Sequence, residues 1–131
     1  MNQARPVLLA IEPQVFVSDM GRAVAYYQAA LGFAVGFLHG EPPFYGQMAR
    51  DEVKLNLRLT PRPVLDMTVG EDLLAAAITV CHAGRLFEEF SERAAVFHQS
   101  LRRETWHAEG QAAFIVADPD GNLLLFAGPT D

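Results

Sequence analysis

One order of elements runs through this chain twice, and that repetition limits its folds more than any other feature. In the first half, Ile11 to Val17 is strand-like, and Asp19 stands where an N-cap precedes a helical stretch. Val24, Tyr27 and Leu31 recur at helical spacing, Met20 and Ala23 complete the apolar stripe, and Gly32 supplies the stop. Phe33 to Leu38 and Phe44 to Ala49 read as strands on either side of a turn at Gly40 to Pro43. The polar turn Arg50-Asp51-Glu52 leads into Val53 to Leu59, where Val53, Leu55, Leu57 and Leu59 alternate with Lys54, Asn56 and Arg58. The order is βαβββ.

Pro61 and Pro63 break the pattern, and Thr60 to about Asp72 reads as a linker. The pattern then restarts, with Leu74 to Val80 as a strand, Gly84 to Ala94 as a helix, and strands near Val96 to Leu101, Ala112 to Ala117 and Leu123 to Phe126. A shift of 63 residues lays Val17 on Val80, Gly21 on Gly84, Arg22 on Arg85 and Tyr27 on Phe90. The same order on both sides makes an internal duplication the better account of these matches. The expected class is α+β, one domain over residues 1–131, with a first module at about 7–60 and a second at about 73–128.

Composition narrows the function. Half of the residues are hydrophobic and 20% are charged, a globular profile long enough to bury a core without staples. The net charge is -6, and Lys54 is the only lysine. Such a surface repels polyphosphate, which argues against nucleic acid as a partner and gives cationic ligands a weak attraction. Cys81 is alone, so no internal disulfide is expected and a reducing compartment, the cytoplasm, is the default. The apolar run Val7 to Ile11 is far shorter than a signal-peptide core, and no stretch reaches the length of a membrane span.

The segment Val17-Ser18-Asp19-Met20-Gly21-Arg22-Ala23-Val24-Ala25-Tyr26-Tyr27, followed by Leu31-Gly32-Phe33, resembles the opening signature of the vicinal-oxygen-chelate superfamily, which includes glyoxalases, bleomycin-resistance proteins and extradiol dioxygenases. Asp118-Pro119-Asp120-Gly121-Asn122-Leu123 resembles the turn that introduces its last strand. Both motifs also have plain structural uses: a cap at Asp19, helix packing at Tyr27, a helix stop at Gly32 and a positive-φ turn at Gly121. The resemblance implies that the two βαβββ modules form a curved mixed sheet around a cleft. It also implies homodimers whose subunits exchange halves in some cases.

In the metal enzymes of that superfamily one divalent ion is held by residues on the first and last strand of each unit. Carried onto this chain by the repeat, those slots hold Glu12, Asn56, Ala75 and Leu125. Alanine and leucine donate nothing and an amide donates weakly, whereas zinc, iron and manganese take three or four histidine, carboxylate or thiolate donors. The expectation is no metal and no cofactor, with Glu12 left as a counter-ion, a general base, or a rim carboxylate that is solvated or paired with Arg58. His39, His82, His98 and His107 are scattered, without an i,i+4 pair or an H-E-x-x-H arrangement, and read as turn or surface residues. Cys81 beside His82 is discounted as a nucleophile, because neighbours on a strand face opposite ways.

Aromatic residues give the stronger signal. Phe16 shares a strand face with Glu12 and Gln14, and Phe44, Tyr45, Trp106 and Phe114 are placed near the expected cleft, where flat rings stack on planar or cationic ligands. The candidate ligand-binding set is therefore Glu12, Gln14, Phe16, Phe44, Tyr45, Asn56, Arg58, Trp106 and Phe114. The resemblance favours sequestration of an aromatic, cationic compound of the bleomycin type without metal catalysis. The alternatives are a glyoxalase- or dioxygenase-like enzyme, including a metal-free isomerase using Glu12 as base, and a metabolite-binding protein.

Overall fold

The computed structural model describes residues 4–61, 73–103 and 110–130. The elements run β1 (Gln14–Val17), α1 (Met20–Ala29), β2 (Ala34–Gly40), β3 (Pro43–Arg50), β4 (Val53–Leu59), β5 (Leu74–Thr79), α2 (Ala83–Glu92), β6 (Val96–Arg103), β7 (Gln111–Ala117) and β8 (Leu123–Pro129). They form two four-stranded sheets in the orders β1-β4-β3-β2 and β5-β8-β7-β6. In each, the first strand is parallel to the fourth and the other pairs are antiparallel. The chain is thus an α+β fold built from βαβββ twice, and both helices have 10 residues and begin 63 positions apart, at Met20 and Ala83.

Local chemistry fixes the helix ends. Asp19 is extended and its Oδ1 accepts the Arg22 N–H at 2.9 Å, satisfying a donor that has no partner within the helix. At the other end Gly32 takes φ +70°, and the Phe33 N–H reaches back to the Tyr27 carbonyl at 2.9 Å. The second helix is less well capped. His82 occupies the N-cap with φ 58° and no side-chain hydrogen bond, and Ala94 follows the helix with φ 62°.

Both modules share one core. Val15, Val17, Tyr27, Leu31, Met48, Leu55 and Leu57 from the first pack in a single cluster with Phe90, Phe114, Val116, Leu124 and Phe126 from the second. Fully burying side chains of this size is worth roughly 2 kcal/mol each. At the seam the buried Tyr27 hydroxyl donates to Asp118 Oδ2 at 3.0 Å, and Asn122 Nδ2 donates to the same oxygen at 2.8 Å. Burial pushes the Tyr27 hydroxyl well above its ordinary pKa and lifts the Asp118 carboxyl as well. Tyr27 therefore keeps its proton and serves as donor. On the opposite side of the seam Arg50 clamps Glu89 through Nη1 and Nη2 at 2.8 and 3.0 Å and donates to the Leu31 carbonyl at 2.9 Å.

Several element bounds differ from the sequence reading. The first strand begins at Gln14 rather than Ile11, α2 spans Ala83–Glu92 rather than Gly84 to Ala94, and the last strand continues to Pro129. Most of the Thr60 to Asp72 linker, and Trp106, lie outside the described residues.

Candidate functional site

The face of the first sheet that turns away from α1 carries the candidate site. Strand alternation puts Val15 and Val17 in the core, so Gln14 and Phe16 point the other way, and Glu12 precedes them at the same phase. The parallel register places Gln14 beside Asn56 and Phe16 beside Arg58. The antiparallel register adds Gln47 opposite Asn56 and Tyr45 opposite Arg58. A register shift between His39 and Gly40 interrupts the β2–β3 ladder beside Phe44.

At the centre, Glu12 Oε1 accepts hydrogen bonds from Gln47 Nε2 at 3.1 Å and Asn56 Nδ2 at 3.3 Å. Gln47 Nε2 also lies 3.1 Å from Asn56 Oδ1, which closes a three-residue polar cluster. Asn56 is buried while Glu12 is exposed, so the amides form the floor and the carboxylate faces solvent. Around them, Gln14 Nε2 donates to the Tyr45 hydroxyl at 3.3 Å, and Phe37 lies against the Tyr45 ring with centroids 5.9 Å apart. The Arg58 guanidinium sits 5.9 Å from the centre of the Phe44 ring, and His39 meets the same ring edge-on at 5.4 Å. Phe16, Phe37 and Phe44 are 40%, 42% and 42% exposed. The surface is a carboxylate on a polar floor, flanked by open aromatic rings.

Of the residues selected from sequence, Glu12, Gln14, Phe16, Phe44, Tyr45, Asn56 and Arg58 are on this sheet or at its leading end. Arg58 covers Phe44, so the pairing with Glu12 is not formed. Phe114 is placed elsewhere. It is fully buried on β7, an inner strand of the second sheet, stacked on Phe126 at 5.4 Å and touched edge-on by Phe87 and Phe90, and so belongs to the core. Gln47 and Phe37 were missed. Gln47 was accessible by counting, since the tight turn at Asp51-Glu52 places it across from Asn56.

The donor set does not fit a divalent transition ion. The ladder pairs Gln14 with Asn56 and, in the other half, Ala77 with Leu125, so the repeat and the strand register agree on which positions correspond. The four slots, Glu12, Asn56, Ala75 and Leu125, supply one carboxylate, one amide and two hydrocarbon side chains. Among the described residues no group of three histidine, cysteine or carboxylate side chains is gathered to hold an ion.

A family model described as the Glyoxalase/Bleomycin resistance protein/Dioxygenase superfamily matches residues 8–126. The chain belongs to that superfamily. Similar solved structures include a glyoxalase/bleomycin resistance protein/dioxygenase from Alicyclobacillus acidocaldarius, with a TM-score of 0.74 and 20% identity over 92% of this chain and 91% of that one. The bleomycin-binding protein of bleomycin-producing Streptomyces verticillus, solved with copper(II)-bleomycin, gives a TM-score of 0.70 and 22% identity over 93% and 97% of the two chains. TioX from Micromonospora sp. ML1 gives 0.68 and 19% over 92% and 95%. At these identities the likeness to individual structures establishes the superfamily fold. No protein of curated function matches the sequence.

Proposed function

We propose that this superfamily member binds a small, planar, cationic organic compound on the Glu12 face and sequesters it without metal chemistry. The observation that carries the reading is the environment of Glu12. Its carboxylate is oriented by the neutral amides of Gln47 and Asn56, which fix its position without cancelling its charge. Phe16, Phe37 and Phe44 leave ring surface exposed nearby, where a flat cation gains both stacking and charge complementarity. The bleomycin-binding neighbour makes a bleomycin-type drug the first compound to try. The face is open within one chain, and a second copy placed against it would enclose the ligand.

Isothermal titration with metal-free bleomycin tests this. Saturable binding at micromolar concentration is expected, with about a tenfold loss in Glu12→Gln, the scale of one charge-assisted contact. Absence of heat at those concentrations removes that drug class, and equal affinity in Glu12→Gln removes the assigned role of the carboxylate.

A further inference from the structure

The two halves differ at one place where the repeat should make them alike. The β7–β8 connection closes on a bond from the Asp118 N–H to the Asn122 carbonyl, with Pro119, Asp120 and Gly121 between. The β3–β4 connection closes on the Arg50–Val53 pair, with only Asp51 and Glu52 between. The longer turn latches onto the end of β1. Asp120 Oδ1 accepts the Ser18 N–H at 3.2 Å and the Ser18 hydroxyl, it lies 3.5 Å from Arg22, and Asn122 Nδ2 donates to the Phe16 carbonyl at 2.9 Å. By the 63-residue shift, the counterparts of Phe16 and Ser18 are Thr79 and Cys81. The shorter turn presents Val53, which has no side-chain donor, where the longer one has Asn122. The Asp51 side chain is 90% exposed.

The missing latch leaves a cavity of about 240 Å³. Its walls are apolar, from Phe33, Val53, Ile78, Val80 and Phe90, and its rim carries Asp51, Glu52 and Cys81. Arg50 also borders it, but its guanidinium is committed to Glu89 and to the Leu31 carbonyl. Asp51 receives only a 4.0 Å approach from Arg50 Nε, and among the described residues Glu52 makes no ion pair. The rim is therefore net negative over a greasy pocket that shares no residue with the Glu12 face.

We propose that this cavity is a second ligand site, for a small amphipathic amine with one aromatic ring. A cavity of about 150 Å³ takes a benzene ring, so this one has room for a ring and a short substituent. The ring enters between Val53, Ile78 and Val80, which line the cavity and are partly exposed, and the ammonium group stays at the rim between Asp51 and Glu52, where its hydration is partly retained.

Phenethylamine and its uncharged analogue 2-phenylethanol test the assignment, read by amide chemical-shift titration and by the rate of Cys81 modification with a maleimide. The expected result is saturable binding of the amine with a Kd of about 1 mM or tighter, shifts centred on Val53, Ile78 and Val80, and Cys81 labelling slowed about threefold or more. The alcohol should bind about fivefold more weakly or worse. The exposed double variant Asp51→Asn with Glu52→Gln, which leaves the walls intact, should bring the two compounds to within about twofold of each other. Val53→Trp, which fills the pocket, should abolish both. Non-saturating shifts, shifts centred on Glu12 and Tyr45, or equal affinity of amine and alcohol in the unsubstituted protein would overturn the proposal. These readouts are separate from bleomycin binding, so either site can fail alone.

Discussion

Ala94 and Gly32 each follow a helix with positive φ, 62° and 70°, but only one of them is a glycine. A Cβ in the left-handed region is crowded by the neighbouring carbonyl, at a cost of about 1 kcal/mol. Ala94→Gly should raise stability by up to about that amount, seen as a higher urea midpoint with an unchanged slope; a lower midpoint would contradict the strain assigned to Ala94. Glu89 offers a second test. Hydrogen bonds from Arg50 hold its carboxyl below the ordinary value. Its contribution is therefore present above the ordinary carboxylate range and is lost as pH falls through the lowered native value. Asp118, lifted by burial, has the opposite sign: its contribution is present in acid and is lost as pH rises through its raised value. Glu89→Gln should cost about 1 kcal/mol near neutrality, discounted because the pair is partly solvated, and should flatten the acid limb of stability against pH. An acid limb as steep as that of the parent protein would remove the pair from the account. Single residues were unevenly legible in the sequence. Asp19 could be read as a cap because capping is local, whereas Phe114 could not be told from a cleft residue because its face is set by β7–β8 register and by α2 packing.

Elements were more legible than their ends. The alternation from Val53 to Leu59 marks β4 to the residue, because one face is core and the other is the candidate site. The start of β1 was overextended since Ile11 is apolar, yet the ladder needs partners. Pro13 has no N–H to donate, and the carbonyl of Pro13 takes the last bond, from Asn56. Conversely, β8 runs on to Pro129 because Gln111 pairs with that residue, a long-range fact that no local pattern carries. Where β8 passes the end of β5, Gly128 leaves no room for a side chain, and an added Cβ would overlap the Val80 carbonyl. Gly128→Ala should therefore destabilise the protein by about 2 kcal/mol or more, visible as a lower melting temperature; an unchanged melting temperature would mean that the strands separate there at no cost.

At the scale of the molecule, the duplication was visible in the sequence, and its departures from symmetry were not. The 63-residue shift aligns both helices, but whether a turn of two or three residues reaches the neighbouring strand depends on how the modules pack. The same holds for enclosure of the Glu12 face. Leu8, Leu9 and Ile11 are 90% exposed or more, and Phe16, Phe37 and Phe44 are also exposed. Exposed apolar side chains in this number are the kind of surface that a second copy could cover. Light scattering should give a dimer mass, and Phe37→Glu should shift the population towards monomer at low micromolar concentration; a monomer at every concentration would leave the ligand face without a lid. β3 ties these parts together. It carries Tyr45 and Gln47 under the proposed ligand and, three residues further on, Arg50 in the grip of Glu89. A strand anchored in this way works as a tie-rod, so a load applied to the floor of the proposed binding face is delivered along one pleated backbone to the rivet that joins the two halves.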